Sequence, residues 1–249
     1  MITLQNIRKY FNQGRVNQVT ALQDISLHVP KGEFTVIVGA NGSGKTTLLN
    51  IIEGTEIPSS GTVNMNGHDV TLLPEFKRSK WVARVFQDPN NGTAPELTIL
   101  DNFRLAALRA HTKYLTIGIN DAFRKNVQEK ISELGMGLEN KLSLPMGNLS
   151  GGQRQALTLL MCIMDDIDIL LLDEPTAALD PKSASVVLKL ADKLNKMHGI
   201  TTVMITHNLK DALQYGNRLI QLQEGKILRD LSSDKKSGLV LQDIYEWFE

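Results

Sequence analysis

Residues 39 to 46, Gly39-Ala40-Asn41-Gly42-Ser43-Gly44-Lys45-Thr46, meet the pattern G-x-x-x-x-G-K-[ST] at every fixed position, between the apolar run FTVIV and the helical run TTLLNIIEG. A strand that bends through glycines straight into a helix belongs in a sheet onto which that helix packs back. Other apolar runs of strand length alternate with helical patterns: Val82 to Phe86, Ile169 to Leu172, Thr202 to Ile205 and Arg218 to Leu222, besides Phe34 to Val38. The expected class is therefore α/β with a mostly parallel central sheet flanked by helices. The pieces VNMNGHDV and LQEGKIL carry Asn-Gly and Glu-Gly turn signals and are expected to be hairpins.

The loop also dictates a chemistry. Its glycines let backbone N–H groups converge on phosphate oxygens, and the following helix adds its positive end. Lys45 is expected between the β- and γ-phosphates, the Thr46 hydroxyl on Mg²⁺, and Thr47 on a further phosphate oxygen. Alone, the loop marks a P-loop NTPase and leaves kinases, GTPases and helicases open. Lysine plus arginine and aspartate plus glutamate number 27 each, which argues against nucleic acid as a partner.

ILLLDE ends an apolar run in two carboxylates, Asp173 and Glu174. Ligands of open α/β sheets bind beyond the carboxyl ends of strands, so this pair is expected beside the phosphate loop. Asp173 suits Mg²⁺, directly or through water, and Glu174 suits a general base that polarises the attacking water. His207 follows TTVMIT and Gln87 follows VARVF, both at strand ends. His207 is expected to touch the γ-phosphate, and Gln87 to reach Mg²⁺ or water. His28, His68, His111 and His198 read as surface or turn residues. Cys162, the single cysteine, lies in LTLLMCIM and reads as a small buried hydrophobe.

From about Ile99 to Met164 helical spacing replaces the strand pattern. Phe123, Val127, Ile131 and Leu134 form one apolar helical face, expected to pack on the domain's own core. No segment approaches the ~18 apolar residues of a membrane span. MITLQNIRKYF lacks the apolar core of a signal peptide, so any membrane role is expected from the cytoplasmic side through a partner.

Leu149-Ser150-Gly151-Gly152-Gln153 resembles the signature of the ABC ATPases. The order of phosphate loop, Gln87, LSGGQ, LLLDE, Ala178-Leu179-Asp180 and His207 matches that family across essentially the whole chain. Ser150 is expected to cap a helix beginning near Gly152, with Gly151 and Gly152 exposing N–H groups as a second phosphate site. The resemblance implies that Ser150, Gly151, Gly152 and Gln153 serve ATP held by another subunit, so that two chains close head to tail around two ATP. It implies that Asp180 links the sites and that Phe11, or the adjacent Tyr10, stacks on adenine. It further implies an ABC ATPase fold: a core with a small antiparallel β-subdomain (residues 1–86 and 165–249) and a helical subdomain (residues 87–164). The implied partners are transmembrane permease subunits, docking near Gln87, and a second ATPase subunit in a homodimer. The implied place is the inner face of the cell membrane.

Two positions depart from the family pattern: Ala156 stands where arginine is common, and Asp165-Asp166 replaces a usual proline. NLSGGQRQALTLLM and VFQDPNNGTAPELTILDN resemble a subgroup of bacterial uptake ATPases paired with an extracytoplasmic substrate-binding protein and an amino-acid-type permease. The alternative is a soluble ABC ATPase of a non-transport assembly, such as iron–sulfur cluster building or cell division. A DNA-repair or chromosome ATPase of the superfamily would need a long coiled coil, and the interval from Lys45 to Ser150 has no room for one.

Overall fold

The structure, a computed structural model, describes residues 1–108 and 118–248; His111 lies outside the described residues. The phosphate-loop strand is β3 (Phe34–Val38), and every residue in it is buried. The same holds for β7 (Ile169–Asp173) and β8 (Thr201–Ile205), the continuous apolar runs of strands covered on both faces. With β6 (Val82–Val85), β9 (Arg218–Gln223) and β10 (Lys226–Leu231) they form a sheet ordered β10-β9-β3-β8-β7-β6. All its neighbours are parallel except β9–β10, the hairpin turned by Glu224 and Gly225, both at positive φ.

A second sheet, wholly antiparallel, is ordered β2-β1-β4-β5 from β1 (Ile2–Phe11), β2 (Val19–Val29), β4 (Ser60–Met65) and β5 (His68–Asp69). Asn66 and Gly67, at φ 50° and 86°, make the expected β4–β5 turn. The long strands β1 and β2 are a finding the sequence reading did not include. Bulges break their alternation: the register slips between Leu4 and Ile7, and Asn6 and Asp24 take positive φ.

Alternation in the central strands sends side chains to two cores. Ile37, Ile169 and Leu171 face α1 (Lys45–Glu53) and the small sheet. Val36, Val38, Leu170 and Leu172 face a helical layer on the other side. That layer includes α3 (Ile99–Ala106), α4 (Asp121–Ser132), α5 (Gly151–Cys162), α6 (Pro181–His198) and α7 (Leu209–Gln214). Val127 and Ile131 on α4 are fully buried in it; the helix stops before Leu134, which still packs on the same core. Between α1 and β6 lies the single turn α2 (Glu75–Arg78), and the chain ends in α8 (Ser233–Ser237) and α9 (Leu241–Tyr245). Cys162 is buried, while His28, His68 and His198 are exposed, His68 stacked on Trp81. Among the described residues no helix is long and apolar enough to cross a membrane.

Candidate active site

β3 delivers the chain into the loop, and Gly44 makes the turn into α1 possible. It sits at φ 98°, and a Cβ there would lie 2.5 Å from the Ala21 carbonyl. α1 begins with no side-chain cap and no acid in its first turn, so its leading N–H groups are left for an anion. Lys45 is buried and donates to the Gly39 and Ala40 carbonyls at 2.8 and 3.0 Å. Burial holds its ammonium below the ordinary lysine value, partly offset by Glu174 and Asp173. The Ser43 hydroxyl is buried and has no hydrogen-bond partner among the described residues, a donor suited to a phosphate oxygen.

Around the loop opens a cleft of about 760 Å³, walled by Phe11, Val19 to Ala21, Asn41, Gly42, Gly44 to Thr47, Gln87, Glu174 and His207. Residues from β1, the loop, the end of β6, the end of β7 and the end of β8 thus converge, as the strand-end argument expects. Phe11 lines this cleft and Tyr10 does not. Gly39, Ser43 and Asp173 do not line it and are all buried.

At the mouth, the Glu174 carboxylate lies 2.9 Å from His207 Nδ1, with Glu174 only 18% exposed and His207 61%. Glu174 is a non-glycine residue at φ 47°, a left-handed conformation that costs of order 1–3 kcal/mol. Its N–H donates to the Ile205 carbonyl at 3.0 Å, which fixes the strained turn against the end of β8.

Two expected residues sets stand elsewhere. Ser150 N-caps α5 in a capping box with Gln153, and the helix begins at Gly151 rather than Gly152. Ser150 and Gly151 are exposed; Gly152 is packed so closely on α6 that a Cβ would lie 2.3 Å from Ser183. Asp180 N-caps α6, accepting from Lys182 and Ser183 N–H groups at 3.1 Å; the Ser183 side chain, then these N–H groups, hold its carboxyl below the ordinary range. Neither Ser150 to Gln153 nor Asp180 lines the cleft of Lys45.

Sequence reasoning missed two side chains that tie these parts together. Gln155 is buried and donates to the Phe86 carbonyl at 2.8 Å and the Pro175 carbonyl at 3.2 Å, joining α5 to the residues beside Gln87 and Glu174. Arg84 on β6 donates to Asp173 and Glu53, each at 2.6 Å, and to Asn50 at 2.8 Å. Neither residue type signals a distant partner by spacing.

The oxygens that could hold a metal are the Thr46 hydroxyl, the Gln87 amide and the Asp173 carboxylate. Among the described residues no cluster of three or more His, Cys, Asp or Glu could hold an ion. That sparse oxygen set fits Mg²⁺, which binds through one or two carboxylates and completes its shell with water and substrate phosphate.

Comparison with known proteins agrees with this geometry. A family described as ABC transporter matches residues 22–177. A tyrosine transport ATP-binding protein of Clostridioides difficile is 40% identical over all of this chain and 99% of its own length. A methionine import ATP-binding protein of Enterococcus faecalis is 34% identical over 92% of this chain and 64% of its own. Among solved structures, a dimeric ATP-binding cassette in a post-hydrolysis state with ADP and Pi superposes with a TM-score of 0.81 at 30% identity, covering 94% of this chain and 99% of that one. The chain belongs to the ABC transporter family, as one of its ATP-binding, ATP-hydrolysing subunits.

Proposed function

We propose that two copies of this chain close head to tail around two MgATP, and that the cycle of closure and hydrolysis drives uptake of an amino acid through permease subunits at the inner face of the membrane. An extracytoplasmic substrate-binding protein would deliver the solute. The observation that carries this reading is the division of the phosphate-binding parts: Lys45, Thr46, Glu174 and His207 share one cleft, while the exposed, capped N-terminus of α5 stands outside it. A second copy brings Ser150, Gly151, Gly152 and Gln153 to the γ-phosphate, and Asp180 joins the two sites. The dimeric state of the solved cassette supports the pairing, and the names of the tyrosine and methionine relatives support an amino acid as cargo.

In this reading Phe11 stacks on adenine. The N–H groups of residues 39 to 47 and the Ser43 hydroxyl hold the β- and γ-phosphates, with Lys45 turning from its own carbonyls to them. Thr46, Asp173 and Gln87 would hold Mg²⁺, which neutralises charge on the phosphates. Glu174 accepts the proton of the attacking water. His207 orients that water and the γ-phosphate. A neutral imidazole that donates through Nδ1 has only an acceptor at Nε2, so donation to a phosphate oxygen requires the contact with Glu174 to open or the ring to carry a second proton. A water between Glu174 and His207 meets the first condition.

A tagged Glu174→Gln chain tests the whole reading when membranes of the source cell are dissolved in mild detergent with MgATP. Turnover is expected to fall by about 10²-fold or more, the range in which a general base operates. The trapped chain should elute as a dimer together with a multi-span membrane protein. Ordinary hydrolysis would remove Glu174 from the base role, and recovery of soluble partners alone would remove the transport assignment.

A further inference from the structure

We infer that Arg84 is the positioning residue for Asp173: its guanidinium holds one carboxylate oxygen so that the other is presented to the metal of bound nucleotide. The inference rests on the assignment of Asp173 to Mg²⁺ made above.

Arg84 lies on β6 in register with Leu171 of β7, on the sheet face that meets α1. Its side chain is only 6% exposed, and it is enclosed by two carboxylates that are themselves nearly buried, Glu53 at 9% and Asp173 at 12%. Nη2 donates to Asp173 Oδ2, and Nη1 donates to both Glu53 Oε2 and Asn50 Oδ1. The guanidinium therefore joins three elements that must keep register at the cleft. These are α1, whose first turn carries Lys45 and Thr46; the end of β7, carrying Asp173 and Glu174; and β6, which leads to Gln87. The ring of Phe86, the residue before Gln87, lies against the guanidinium with its centre 4.8 Å away.

The buried Arg78, by contrast, donates to carbonyl oxygens alone among the described residues. At Arg84 two carboxylates face one guanidinium, so the triad itself carries a surplus negative charge, which Lys45 also faces from the loop. Burial pushes the Glu53 carboxyl above its ordinary value, and Arg84 opposes that shift without cancelling it. A divalent cation beside Asp173 would balance that surplus. The contact also selects an atom. Oδ2 is taken by Arg84, whereas Oδ1 accepts no hydrogen bond from the described residues and remains for the cation's shell. Only a planar fork spans Asp173 and Glu53 at once; a lysine at this position would reach one of them.

The experiment titrates a non-hydrolysable ATP analogue into the chain, first in EDTA and then over rising Mg²⁺, with thermal unfolding in EDTA as the check on folding. Wild type is compared with Arg84→Met, Arg84→Lys, the charge-relieved pair Glu53→Gln/Arg84→Met, and Asp173→Asn. Partners of metal ligands typically carry about 10–100-fold in metal affinity. The Mg²⁺ needed for half-maximal tightening should therefore rise about tenfold or more in Arg84→Met and in the folded double variant, with affinity in EDTA within about twofold of wild type. Arg84→Lys should recover little of the loss. Wild-type Mg²⁺ dependence in the folded double variant would overturn the inference. So would equal weakening with and without Mg²⁺, which is the signature of a packing role. If Asp173→Asn leaves Mg²⁺ dependence unchanged, the metal assignment of Asp173 falls and this inference with it; if Asp173→Asn shifts it and Arg84→Met does not, only the role of Arg84 is lost.

Discussion

Glu174 combines a strained backbone at φ 47° with a carboxylate beside His207, and the two properties are separable by substitution. Glu174→Ala and Glu174→Gly both delete the carboxylate, but only glycine adopts the left-handed conformation freely. The glycine variant should be the more stable of the two by about 1 kcal/mol, read from urea unfolding, while the proposed base role predicts that both lose ATP turnover. Equal stabilities would mean that the turn relaxes when the carboxylate goes. At this scale the sequence was informative wherever function requires a local pattern. Gly39 to Thr46 and Leu149 to Gln153 are contiguous, so loop and helix cap are written in order. Arg84 and Gln155 were not legible, because Arg84 meets Glu53 and Asp173 at separations of 31 and 89 residues, and Gln155 meets the Phe86 carbonyl at 69. Nothing in a single sequence encodes a pairing across the sheet.

The helix that carries the phosphate loop is secured at its far end by one side chain. Arg78, fully buried, donates to the carbonyls of Ile51 and Ile52 in the last turn of α1 at 2.7 and 3.0 Å, and to those of Leu73 and Thr71 at 2.8 and 3.0 Å. Burial lowers its pKa to about 10. It also explains Gly54, the α1 cap, where a Cβ would lie 2.7 Å from Arg78 Nε. Arg78→Met leaves two buried and two part-buried carbonyls without this donor and should destabilise the protein by about 3 kcal/mol or more, measured by chemical unfolding. A loss below about 1 kcal/mol would show that water reaches those carbonyls. Element-level reading of the sequence succeeded for β3, β7 and β8, whose burial on both faces makes them unbroken apolar runs. It failed for β1 and β2, because a bulge flips the outward and inward faces in mid-strand and erases the period of two.

Over the whole molecule, the C-terminal segment returns to the core through Lys236, which is buried and donates to the carbonyls of Tyr215 and of Gly216, the latter at 2.9 Å. Burial lowers its pKa from 10.5 to about 8. A base with a depressed folded value leaves the extra proton on the unfolded chain between those two values, so this residue's contribution makes unfolding harder as pH rises from about 8 towards 10.5. Wild type should therefore gain stability relative to Lys236→Met between about pH 7.5 and about pH 9.5, and parallel stability curves would show that Lys236 titrates as an ordinary lysine. The distance between the cleft of Lys45 and the capped start of α5 has a consequence of a different kind. Under the pairing proposed here, a copy with a ruined phosphate loop still lends its Ser150 to its neighbour, and a copy with a ruined α5 start still spoils a neighbour whose own loop is intact. Damage is then never private to the gene copy that bears it: such alleles act dominantly, and two different defects can rescue one another in a mixed pair.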